Sequence, residues 1–374
     1  MKIKKETIVW IFLIVPFFYP SSIADTSLSS IWYYWKLCAV ACGVIYIFKR
    51  IKKIKCLEKS TWFIIVMYIM QIIASAINKL DILYDFKTAV MMGVFVLVVS
   101  FLLYEYGNRA ILFFYRLVNV FIWLNFLSVI FLYGRGIARD SYDTAIYFWS
   151  TKNHIISLTI VYLVIIFYLY NENYIHKKGF LSGVSVATIA VFLMGSSTAI
   201  TALIVLGVFM WYCTVCNKRK KPANMKAGIV IGVIADVAIV VFRVQEKLGL
   251  FIGTIFGKDT TLTGRTDLWD QALELIGIHF LYGKGDSYAL NQYGWLTKTY
   301  WNDKTQILED VYFVAHNQFL EVLVNGGIIC LIPFLLFFYS MIKSARKIRN
   351  YNYKNINITK VCTLLQMEYH SCKT

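Results

Sequence analysis

The feature that most constrains this chain is a succession of long apolar runs separated by short polar, often basic, stretches. About ten candidate spans can be read, at 7–24, 31–48, 61–77, 88–104, 110–133, 155–170, 180–195, 198–214, 228–242 and 319–342. Runs of this length bury their backbone polar groups only as helices in lipid or in a large core. Hydrophobic residues form 59% of the chain and charged ones only 16%, well below the quarter or so carried by a soluble domain. The fold class expected is an all-α polytopic membrane protein. The first run, behind Lys2, Lys4 and Lys5, is read as a retained span rather than a signal peptide.

Between the ninth and tenth runs lies a polar interlude. The organisation expected is therefore a transmembrane bundle of about nine spans over 1–242, a long loop over 243–318, a last span over 319–342, and a cytoplasmic tail over 343–374 that reads as truncated.

The formal net charge of +17 raises the question of nucleic acid, but its placement answers it. With the N-terminus in the cytoplasm and spans alternating, the basic clusters at 49–59, 177–178, 218–226 and 343–349 all fall on the cytoplasmic side. The excess charge is a topology signal, and no nucleic-acid partner is expected. The loops 134–154 and 243–318 then lie outside the membrane. Eight cysteines show no metal-ligand spacing, and none falls in the long loop, so neither a metal nor a disulfide framework is implied. Asp236, in the middle of the ninth run, is an intramembrane carboxylate and so a functional candidate, with a structural pairing the more ordinary role.

Within the long loop, Asp267, Asp270, Gln271 and Glu274 alternate with Leu268, Trp269, Ala272, Leu273, Ile276 and Phe280. That spacing predicts an amphipathic helix of about four turns, with Thr266 or Asp267 as N-cap and Gly283-Lys-Gly285 as stop. Arg265 stands just before its first turn, where a guanidinium and free N–H groups together suit a diphosphate. His316 immediately precedes the last run, at a membrane boundary, where an imidazole can take a proton near neutral pH. Asn317 can hydrogen-bond a sugar or start the final helix. Trp269, Tyr288, Tyr293, Trp295, Tyr300 and Trp301 can stack on sugars or anchor the loop at the interface.

These pieces carry a resemblance in their order. Gly264-Arg265-Thr-Asp-Leu-Trp269, Tyr282-Gly-Lys-Gly285, Ala315-His316-Asn317-Gln-Phe319-Leu-Glu and Gly326-Gly327-Ile328 together resemble the C-terminal signature of the O-antigen ligase and Wzy-type polysaccharide polymerase superfamily. Arg139, followed by Lys152-Asn153-His154, is similar to an earlier external Arg and Asn motif of that family. The family's Ser-Arg motif is reduced here to Gly195-Ser-Ser-Thr198, without the arginine.

The resemblance implies a metal-independent membrane glycosyltransferase of the GT-C type, without cofactor, in the cytoplasmic (inner) membrane of a bacterium. Its substrate would be an oligosaccharide on undecaprenyl diphosphate, used at the outer leaflet and joined repeat to repeat into capsule, exopolysaccharide or O-antigen. On that basis His316 is the expected base and Arg265 its catalytic partner at the diphosphate. Arg139, Arg243, Asn317, Asn153, Gly283 and Gly285 are the expected substrate contacts. A flippase and a chain-length regulator of the same pathway are the expected partners, besides membrane lipid. A ligase passing glycan to another acceptor, and a flippase or transporter of the same lipid-linked sugar, are the alternatives.

Overall fold

The computed structural model describes residues 5–24, 26–140, 143–218, scattered positions between 232 and 242, 265–290, 292, 294–302 and 307–351. Helix dominates, and seven described helices are long and apolar enough to cross a membrane. The protein is an all-α polytopic membrane protein. The predicted run 228–242, with Asp236 in it, lies largely outside the described residues.

The chain divides into two compact units, residues 1–58, 94–223 and 344–373 in one and 59–93 and 224–343 in the other. In the first unit the helices are α1 (Lys5–Ile14), α2 (Leu28–Phe48), the later part of α4 (Ile82–Tyr106), α5 (Asn108–Phe131), α6 (Ile155–Asn171), α7 (Lys177–Met194) and α8 (Ser197–Lys218). The run expected as one span over 7–24 is instead a short helix followed by two 3-10 turns. Pro16 and Pro20 explain the difference: each lacks an N–H and disfavours helix in the residue before it.

The core of this unit lies where α5, α6 and α7 meet, around Phe121, Ile122, Trp149, Ile155, Tyr162, Ile166 and Ala187. Two of its polar side chains are paired internally, as a water-free interior favours. The Tyr162 hydroxyl donates to Asn119 Oδ1 at 2.7 Å, and Asn125 Oδ1 accepts the backbone N–H of Trp149 at 2.9 Å. By contrast α8 leaves Ile204, Val205, Val208 and Trp211 uncovered, Trp211 68% exposed, as a lipid-facing helix does.

The second unit comprises α3 (Lys59–Ile77), the start of α4, α9 (Arg265–Ile278), an antiparallel hairpin of β3 (Leu296–Asn302) and β4 (Ile307–Phe313), and α10 (Gln318–Tyr351) as far as residue 343. A two-residue strand pair in the first unit, Ala138–Arg139 with Ala145–Ile146, makes β1 and β2. The hairpin was not expected from the sequence; its register runs from Leu296↔Phe313 to Asn302↔Ile307.

The expected last span 319–342 is likewise not one uninterrupted helix. Gly327 adopts φ 61°, ψ −162°, and breaks α10 about 14 Å from its start. A broken helix at membrane depth is tolerated only if its freed backbone groups find partners in the protein. Here the 280–285 loop supplies them. Lys284 N–H donates to Val324 O at 2.7 Å and Gly285 N–H to Asn325 O at 2.8 Å, while Ile328 N–H donates back to Phe280 O at 2.9 Å. Asn78, just past the end of α3, bonds the loop from another side, its Nδ2 donating to Gly283 O at 3.0 Å.

Glycine is required at this crossing. A Cβ on Gly283 would stand 2.6 Å from the backbone of Asn325 and Gly326, and its φ is +64°. Gly283→Ala should therefore destabilise the purified protein by about 1–3 kcal/mol or more. Gly277→Ala, on α9 with nothing within 4 Å of the new methyl, should be neutral or stabilising. Thermal unfolding of the two variants in one detergent checks the contrast.

Candidate functional site

The α9 helix forms where the spacing predicts it, but it starts earlier. Arg265 is its first residue rather than the residue outside it, so Thr266 and Asp267 lie in the first turn. Asp267 there suits the positive end of the helix dipole and pairs with Lys298 of β3 at 3.6 Å. The buried face of α9 comprises Thr266, Leu268, Trp269, Ala272 and Ile276. These pack with Leu296, Ala315, Leu320 and Val324 into one apolar cluster that joins α9, the hairpin and α10. Gln271 fastens α9 to the sheet edge by a reciprocal pair: it donates to Thr297 O and accepts from Thr297 N–H, both at 2.9 Å.

That cluster determines where His316 stands. The Trp269 indole N–H donates to the carbonyl of Ala315 at 2.9 Å, a buried bond across 46 residues of sequence. The N–H of the same residue donates to Glu321 Oε2 at 2.8 Å, and Glu321 Oε1 accepts from Asn325 Nδ2 at 3.0 Å. Ala315 is wholly buried, and both of its backbone polar groups are held. Asn317 caps α10, its Oδ1 accepting the N–H groups of Phe319 and Leu320 at 3.0 and 3.1 Å. Of the two roles open to Asn317, starting the helix is the one the geometry gives its Oδ1.

His316 lies between these two fixed residues, exposed and with φ 51°. A left-handed conformation is uncommon outside glycine and costs about 1–3 kcal/mol, tolerated where neighbours enforce it. The chain thus projects an imidazole outward at the head of α10.

Arg265 is one helical turn before Trp269, on the same face of α9. Its guanidinium is half-buried, and among the described residues it has neither an ion pair nor a hydrogen bond. Burial pulls its proton affinity below the ordinary range, with no carboxylate to oppose the effect. A desolvated cation without a protein anion is costly, and an anionic ligand recovers that cost. Arg265 and His316 are therefore brought to one structural element pair through Trp269 and Ala315.

The other expected residues fall elsewhere. Gly283 and Gly285 form the backbone crossing with α10, both with positive φ. Arg139 and Asn153 belong to the first unit. Arg139 is exposed, its guanidinium bonding the Asp143 carboxylate at 2.8 Å and the Gly134 carbonyl at 3.0 Å, so it closes its own loop. Asn153 accepts from Ser196 Oγ at 3.4 Å, in the turn that opens α8. Arg243 lies outside the described residues.

Sequence reading passed over three groups in this unit. Trp269 was taken only as an apolar or stacking residue, yet its indole fixes Ala315. Glu321, quoted within the motif, holds the other side of the same residue. Asp286, whose N–H donates to Ser75 Oγ at 3.0 Å, is a part-buried carboxyl raised above its ordinary range by burial, against the Tyr288 N–H that bonds it. For Trp269 and Glu321 the signal was the motif itself, which recorded the residues but not their partners; Asp286 stands just past the quoted Tyr282–Gly285 segment.

Fold and site together give a multi-pass membrane protein in which Arg265 opens α9 and His316 stands at the head of α10, the two helices sharing one apolar cluster. Residues 182–335 match the family model described as O-antigen ligase. Over 148 residues the chain is 30% identical to the exopolysaccharide production protein ExoQ of Rhizobium meliloti (strain 1021), a match covering 37% of this chain and 31% of that protein. The matched stretch therefore spans about a third of that relative's length. No solved structure matches. Through residues 182–335 the chain is similar to the O-antigen ligase family, and through the matched stretch to an exopolysaccharide production protein.

Proposed function

We propose that the protein is a membrane glycosyltransferase that joins undecaprenyl-diphosphate-linked oligosaccharide repeat units at the outer face of a bacterial cytoplasmic membrane. The observation that carries this reading is Arg265: a half-buried guanidinium with no anion among the described residues, opening a helix whose next turn holds the residue before His316. Such a cation suits a diphosphate leaving group, and the imidazole beside it suits a hydroxyl that must lose a proton.

In the proposed step an acceptor hydroxyl attacks the anomeric carbon of the donor sugar. The new C–O bond forms as the bond from that carbon to the diphosphate oxygen breaks. His316 takes the hydroxyl proton, for about 10²–10⁴-fold in rate. Arg265 stabilises the charge on the departing lipid diphosphate, where preorganised cations act most strongly. Arg243 is a further proposed contact, and the Gly283 and Gly285 crossing shapes the loop that meets the glycan. No metal or cofactor is required by this scheme. The outer-face placement rests on the Lys/Arg asymmetry of the loops. A flippase delivering the donor and a regulator of chain length are the proposed partners.

The ligase reading keeps the same chemistry with a different acceptor. The description of the matching family favours it, whereas the exopolysaccharide relative favours polymer formation. Purified protein given only the lipid-linked repeat unit, in the presence of chelator, tests the proposal. Products of two or more repeats support the polymerase. Transfer only when a second acceptor is supplied supports the ligase, and neither product overturns both.

A further inference from the structure

The loop that repairs the break in α10 carries a second unmatched cation. Lys284 is fixed by its backbone, whose N–H donates to Val324 O at 2.7 Å. Its ammonium lies 4.2 Å from the centre of the Trp295 ring. That ring is itself clamped to the loop, since the indole N–H of Trp295 donates to Gly285 O at 2.8 Å. Trp295 also packs on the apolar cluster that contains Trp269 and Ala315. The side chain is thus seated on the same rigid core that positions Arg265 and His316.

What Lys284 lacks is an anion. Among the described residues no carboxylate pairs with it and no acceptor bonds its Nζ, whereas Lys298 of β3 is paired with Asp267. Partial burial lowers its proton affinity, and no acidic neighbour offsets that effect. An indole face satisfies an ammonium from one side only, leaving its three donors available on the others. Lys284 instead rests on an indole face, partly exposed and with no carboxylate partner among the described residues.

We infer that Lys284 is a substrate-binding cation of the Arg265–His316 site, taking an anionic group of the lipid-linked glycan, either its diphosphate or the carboxylate of an acidic sugar. The inference rests on the function proposed above and adds a residue and a ligand class to it. Its position in the loop packed against the α10 break places the positive charge beside the helix that presents His316.

The test uses the full-length protein in lipid nanodiscs and three probes: undecaprenyl diphosphate, the uncharged undecaprenol, and tetragalacturonate. Lys284→Gln should weaken one of the two anionic probes about tenfold and leave undecaprenol binding unchanged. Lys284→Arg, which keeps the charge, should stay within about threefold of wild type. Loss confined to undecaprenyl diphosphate identifies the group as the diphosphate, and loss confined to tetragalacturonate identifies it as an acidic sugar. The inference is overturned if Lys284→Gln binds both anionic probes like wild type, or if both variants lose all three probes together. Should wild type itself bind neither anionic probe, the proposed function fails. Should Arg265→Gln weaken undecaprenyl diphosphate while Lys284→Gln does not, only the role of Lys284 is lost.

Discussion

Replacing His316 by alanine should abolish polymer while leaving the protein in the membrane at wild-type abundance. The expected loss is at least 10²-fold in the rate of glycan transfer, the lower range for removal of a general base. The left-handed backbone at this position complicates an alanine variant, because alanine also disfavours φ 51°. His316→Asn separates the two effects. Asparagine tolerates that conformation but is not a base, so it should be as inactive as alanine and fold as well as wild type. Chain length on a silver-stained gel, with the variant's membrane level measured in parallel, gives the result. Full-length polymer from either variant would dismiss His316 as the base.

Arg265→Ala should cost about 10²–10³-fold, the loss typical of one preorganised stabilising group removed from a transition state. Arg265→Lys should retain much more activity, because the charge survives although the planar fork of donors does not. The comparison decides what the guanidinium supplies. Equal loss in both variants would mean bidentate geometry matters rather than charge, and wild-type rates in both would remove Arg265 from the site. Since Arg265 bonds no described residue, neither variant removes a hydrogen bond or ion pair among them, and folding should be little changed.

How far the sequence could be read follows from the range of the interactions concerned. Apolar runs are local, so the spans predicted at 61–77, 88–104 and 110–133 fall within or close to helices Lys59–Ile77, Ile82–Tyr106 and Asn108–Phe131. The amphipathic helix was legible for the same reason, through the 3–4 spacing of Leu268, Trp269, Ala272 and Ile276. The breaks were harder to see. Pro16 and Pro20 interrupt the first run although its hydrophobicity does not change. Gly326-Gly327 was noted as part of a motif, but the interruption it permits depends on a loop 40 residues earlier in the chain supplying hydrogen bonds.

The hairpin was missed despite a signal. Thr297–Asn302 and Ile307–Phe313 are rich in β-branched and aromatic residues on either side of a polar connection, the ordinary pattern of paired strands. Tyr300 and Trp301 are instead read from the sequence as residues that stack on sugars or anchor the loop at the interface. The site itself was legible as residue types, Arg265 and His316, and illegible as an arrangement. What joins them is the Trp269 indole on the Ala315 carbonyl, a bond between distant segments that no periodicity encodes. Lys284 was hidden more completely, since in sequence it is only the middle residue of a helix stop.

The most direct measurement of the central claim, that this site breaks the bond between glycan and lipid diphosphate, is stoichiometric. Purified protein is incubated with a lipid-linked repeat unit, and the undecaprenyl diphosphate released is counted against the glycosidic linkages formed. The mechanism at Arg265 and His316 predicts one released for each linkage, with both quantities falling together in the two variants. Linkages formed without release of lipid diphosphate, or release that persists unchanged when Arg265 and His316 are both replaced, would contradict it.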